Sequence, residues 1–122
     1  MDKKVALTFT GKKKIEASIG DQVVMTDQRP GFGGDGSAPE PFDLFLASLA
    51  TCAGVYAQGF CEKRDINHQG LGLEMVCHYI EDERRFGQIT FNLTLPEGFP
   101  EKYKGAILRS IDQCAVKRHI IT

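Results

Sequence analysis

The chain has 122 residues, enough for one domain built around one modest core. Its 15 Lys and Arg against 16 Asp and Glu leave a net charge of -1, which gives no electrostatic case for binding nucleic acid or an anionic membrane surface. The N-terminal "MDKKVALTFTGKKK" is polar and alternating, with no apolar segment and no small-residue cleavage site, so a cytoplasmic protein is expected. In that compartment its four cysteines are expected to be free, catalytic or metal-bound rather than structural disulfides.

In chain order, Val5, Leu7 and Phe9 alternate with polar neighbours and predict a strand with one buried face. Thr10-Gly11-Lys12 is a turn, and Ile15, Ala17 and Ile19 mark a second strand. Gly20-Asp21 is a hairpin signal, and "QVVMT" completes a three-stranded antiparallel meander. Residues 27–41, "DQRPGFGGDGSAPEP", are dense in Gly and Pro and read as a connection. Their "GFGGDG" lacks the Walker lysine and does not follow a strand in a βαβ unit, so it is a poor phosphate loop.

Pro41 suits the first turn of a helix, with Asp43 near its positive end and Lys63-Arg64 at its close. From Leu44 through Cys61 this helix carries no charged side chain. Its length would permit a membrane span. Its Ser48, Thr51, Gly54, Gln58 and Gly59, and its reliance on Ala, favour the central helix of a globular core or of a dimer. Two strands follow, Leu73-Met75-Cys77-Tyr79 facing one side and Ile89-Phe91-Leu93-Leu95 on the return, joined by "EDERR". A second helix is predicted from near Pro100, with Tyr103, Ile107, Ile111 and Cys114 on one stripe, and "KRHIIT" closes the chain. The order β-β-β-α-β-β-α is an α+β layout in a single domain spanning residues 1–122.

The cysteines divide by context. Cys77 falls on the apolar face of a strand and reads as a small buried hydrophobe. Cys61 lies half a turn out of phase with Cys52 on one helix, so the two cannot pair within it, and Cys61 reads as packing. Cys52 and Cys114 each sit in an apolar helical stripe, on the only two helices available to cover the sheet. Spacing leaves open both a redox pair and two core cysteines. There is no CxxC or HExxH, and His68, His78 and His119 fall on separate elements, so no metal is expected.

Two stretches carry a resemblance. "PFDLFLASLATCAG", Pro41 to Gly54, resembles the central-helix motif of the OsmC and organic hydroperoxide resistance family, and "DQCAVKRHI", Asp112 to Ile120, resembles its second-cysteine motif. The separation of the motifs and the element order also suit that family. The resemblance implies an intertwined, cytoplasmic homodimer with active sites at the subunit interface. It implies reduction of organic hydroperoxides by a peroxidatic Cys52 and a resolving Cys114, regenerated by an external dithiol, with no cofactor. Asp43 stands where the family carries a glutamate. Where the peroxidase branch has an arginine near the first hairpin, "TGKKKIE" supplies Lys12, Lys13 and Lys14, and Arg29 in the loop is the other candidate cation. Asp43 and Cys52 are about 13.5 Å apart along a helix and on opposite faces, so any joint action runs across a two-fold axis. The alternative is a non-enzymatic dimer of the same fold that binds a small apolar ligand at its interface, its cysteines packed and inert.

Overall fold

A computed structural model describes residues 1–112. The strands and helices follow in the predicted order, and the chain divides into two compact units, Met1–Ala47 and Ser48–Thr122. The boundary falls within the long helix.

The first unit holds a three-stranded antiparallel sheet, β1 (Val5–Gly11), β2 (Lys14–Ile19) and β3 (Gln22–Thr26), in the order β1-β2-β3. The β2–β3 hairpin closes through Gly20-Asp21, with Gly20 at a φ of 58°, the first-position glycine of a II′ turn. The β1–β2 turn needs positive φ at Gly11 and at Lys12, 125° and 50°, and the register slips between Phe9 and Gly11. Pairing sets Val5, Leu7 and Phe9 beside Ile19, Ala17 and Ile15, so the predicted apolar face exists. The expected burial of that face is not met. β1 is exposed along its whole length, Phe9 at 76 %, because a three-stranded sheet has no covering layer of its own.

The second unit contains most of helix α1 (Pro41–Lys63), the hairpin β4 (Gly72–Ile80) and β5 (Arg85–Thr94), and helix α2 (Lys104–Ile111). Leu73 faces Leu93, Met75 faces Phe91 and Cys77 faces Ile89, as the period-two pattern predicts, before the register shifts between His78 and Tyr79. "EDERR" makes its turn as a single 3-10 turn, Glu81–Glu83, closed by Arg84 in the left-handed region. The first turn predicted after Pro100 is also 3-10, Glu101–Tyr103, and the α-helix begins at Lys104.

The core of this unit is a cluster of Ala53, Ala57, Phe60, Cys61, Ile107 and Ile111, with Leu73, Phe91, Leu93, Phe99 and Tyr103 packed around it. The alanines of α1 let α2 approach closely. Ser110 Oγ donates to the Tyr56 carbonyl at 3.4 Å, and the Phe60 and Tyr103 rings meet edge-on at 5.8 Å. α1 is long and apolar enough to cross a membrane by length and composition. It buries one stripe in this core and leaves Phe42, Phe45 and Val55 exposed in the single chain.

Candidate functional site

Cys52 lies in α1, half-buried, one residue before Ala53 of the buried Leu49–Ala53–Ala57 stripe, and its sulfur is disulfide-bonded. Cys61 and Cys77 carry free thiols. Cys61 is fully buried in the core, and burial pushes its thiol pKa up, opposed by the nearby Arg64 charge. That agrees with a packing role, since a thiolate is the reactive form. Cys114 lies outside the described residues, as does His119. Among the described residues no group of three or more His, Cys, Asp and Glu could hold a metal ion.

The candidate cations all belong to the first unit, where the β1–β2 turn meets the loop after β3. Lys12 Nζ lies 2.8 Å from Asp35 Oδ1 and Lys14 Nζ 3.2 Å from Asp35 Oδ2. The Asp35 hydrogen bond raises the Lys12 pKa, and those of Lys12 and Lys14 lower the Asp35 pKa. Lys13 runs its aliphatic stem over Gly33. Arg29 stacks on the Phe32 ring at 4.4 Å and reaches Glu40 at 3.9 Å. Lys12, Lys13 and Arg29 are thus drawn onto one loop, with Lys12 already paired. Asp43 is exposed in the first turn of α1, where its charge suits the helix dipole.

One residue that the sequence reading passed over organises this region. Residues 27–41 were expected to be a plain connection. Instead Asp27, fully buried, gathers the loop onto its carboxylate. Oδ1 accepts from Gln28 N at 2.7 Å, and Oδ2 accepts from Asp35 N at 3.2 Å, Ser37 N at 3.0 Å and Ser37 Oγ at 2.7 Å. Gly36 N donates back to the Gln28 carbonyl at 2.9 Å, and a methyl group on Gly34 would overlap that same carbonyl. Gly34 is therefore required by close backbone approach. The usable signal was an Asp at a strand end ahead of a Gly- and Ser-rich turn, the setting in which carboxylates cap backbone N–H groups.

The Ser37 hydroxyl and N–H, the strongest contributors, hold the Asp27 carboxyl well below the usual carboxylate range despite its burial. A depressed folded pKa contributes stability that is complete above the ordinary aspartate value of about 3.9 and is lost as pH falls below it toward the folded value. Thermal melts between about pH 3 and 7 are expected to show this acid loss in the native protein. Asp27→Asn should be less stable at neutral pH and flatter below about pH 4. Parallel curves for the two proteins would show that Asp27 contributes nothing to acid sensitivity.

Comparison with known proteins places the chain in a family. Residues 34–122 match the family model described as OsmC-like protein. No curated protein matches. A solved structure from Psychrobacter arcticus 273-4, assigned to the osmotic stress and detoxification response, is similar at a TM-score of 0.78 and 22 % identity, over 95 % of this chain and 86 % of that one. An OsmC-like protein from Mycoplasma pneumoniae is similar at a TM-score of 0.75 and 13 % identity, over 99 % and 88 %. The organic hydroperoxide resistance protein OhrB of Bacillus subtilis is similar at a TM-score of 0.53 and 16 % identity, over 98 % and 90 %. At these identities the structures speak for the fold, and with the family match covering most of its length, the chain belongs to the OsmC-like protein family.

Proposed function

We propose that this protein is a cytoplasmic thiol peroxidase that reduces organic hydroperoxides with Cys52 and Cys114 and works as a homodimer. The reading is carried by the state of Cys52: a half-buried sulfur engaged in a disulfide, on the helix that bears the family motif, while Cys61 is sealed in the core. The hydroperoxide resistance of the Bacillus subtilis neighbour supports the substrate class. The exposed apolar face of β1 supports a second copy as partner.

The chemistry closes with thiols alone. The Cys52 thiolate attacks the outer peroxide oxygen, an S–O bond forms as the O–O bond breaks, and the alkoxide leaves and takes a proton from solvent to become the alcohol, with Cys52 left as sulfenic acid. The Cys114 thiolate then attacks the sulfenic sulfur and expels water, leaving a disulfide. An external dithiol reduces that disulfide in two exchange steps and is itself oxidised. Lys13 and Arg29 are the cations proposed to favour the thiolate, with Asp43 of the partner subunit orienting them. Lys12 is less suited, since Asp35 already neutralises it. That neutralisation is what favours the second reading, a non-enzymatic dimer that binds a small apolar ligand.

Peptide mapping after stoichiometric cumene hydroperoxide, starting from reduced protein, tests the proposal. The expected product is a Cys52–Cys114 cross-link with Cys61 and Cys77 unmodified. Oxidation of Cys61 or Cys77 ahead of Cys52 would remove the thiol assignment and leave the ligand-binding reading.

A further inference from the structure

A cleft of about 370 Å³ opens in the second unit between the last turns of α1 and helix α2. Its size falls in the range of about 300–1,000 Å³ typical of small-molecule sites. Tyr56 and Phe60 give it aromatic walls, and Gly59 leaves room between them. Three cations line it, Lys63 and Arg64 from the end of α1 and Arg109 from α2, and among the described lining residues there is no carboxylate. A neighbouring cleft of about 560 Å³ differs in kind, because there Arg64 is offset by Asp65 and Glu97.

The three cations are not equivalent. Arg64 is held in place: its guanidinium lies 3.6 Å from the Phe60 ring centroid and 5.2 Å from that of Tyr103, and Nη1 donates to the Phe60 carbonyl at 3.2 Å. It presents a fixed donor plane beside an aromatic wall, which is the geometry that recognises a carboxylate on a flat body. Lys63 and Arg109 are exposed, and neither is in an ion pair among the described residues. Basic residues at the ends of two helices do complement the helix dipoles. That accounts for each singly, but not for their convergence on one cleft whose described lining holds no carboxylate, where like charges repel.

We propose that this cleft binds a small organic anion, a carboxylate or sulfonate carried on a flat apolar body. The apolar body lies against Val55 and Tyr56, and the anionic group faces Arg64, Lys63 and Arg109. Tyr56 follows Cys52 by one turn of α1, and the test of the cleft reads binding and needs no turnover.

The probe is 2-naphthoate, compared with its neutral isostere 2-naphthamide, each titrated into the whole protein by calorimetry. Naphthoate is expected to bind saturably and at least about fivefold tighter than naphthamide. Lys63→Gln and Arg109→Gln should each weaken naphthoate about two- to fivefold and leave naphthamide unchanged. Lys4→Gln, a cation far along the sequence in the other unit, should have no effect. Circular dichroism confirms that each variant is folded. Equal affinity for the two probes, no saturable naphthoate binding, or the same loss from Lys4→Gln as from Arg109→Gln would each overturn the proposal.

Discussion

Replacing Cys52 by serine is expected to bring organic hydroperoxide consumption down to the buffer background, with the fold unchanged. A serine hydroxyl is not ionised near neutral pH and cannot take the oxygen of a peroxide, so no partial activity should survive. Cys52 is half-buried rather than part of the core cluster, so against the reduced native protein the exchange of sulfur for oxygen should be mild for stability, while against the oxidised protein the disulfide's contribution is also lost. Cys114→Ser should behave differently. It should allow one oxidation per chain and then stall, with Cys52 accumulating as sulfenic and then sulfinic acid, visible as mass increments of one and two oxygens. A Cys52→Ser protein that consumes cumene hydroperoxide at the native rate would end the peroxidase reading.

The largest effect on stability is expected at Ile107. It has no exposed surface and sits in the cluster with Ala53, Ala57, Phe60 and Cys61. Ile107→Ala removes three buried carbons and leaves a cavity that small alanine neighbours cannot fill, so it should cost about 2–5 kcal/mol in urea unfolding. Leu108 is its internal control, being 52 % exposed one residue later. Leu108→Ala should change stability by less than about 0.5 kcal/mol. If the two substitutions cost the same, the inward face of α2 has been wrongly identified.

The fold was legible wherever one local pattern decided it. Alternation gave Leu73, Met75 and Cys77 opposite Leu93, Phe91 and Ile89, because a sheet with one packed face allows only that register. Pro41 and Lys63 bracketed α1 for reasons internal to a helix end. What was not legible depended on groups far apart in sequence. The pairing of Lys12 with Asp35 arises because a hairpin turn and a later loop meet, and neither segment encodes the other. Asp27 escaped for the same reason: its partners are the N–H groups of Asp35 and Ser37 and the Ser37 hydroxyl, and that they reach one carboxylate follows from the loop path. Of the candidate site, the motif pointed to Cys52, which lies on α1 as expected, and to Cys114, which lies outside the described residues. The cations could be named only as residue types, since a charge acts through distance and distance is a property of the folded chain.

The sealing of Cys61 gives the molecule an internal clock. Its sulfur has no contact with solvent, so an alkylating reagent can reach it only while the surrounding core is transiently open. With a reagent in excess, the slow rate at which Cys61 is consumed reports the frequency of those openings, while Cys77, partly accessible on its strand, reacts without waiting for them. The two rates, read from one sample, would time the breathing of the second unit with no denaturant and no engineered label.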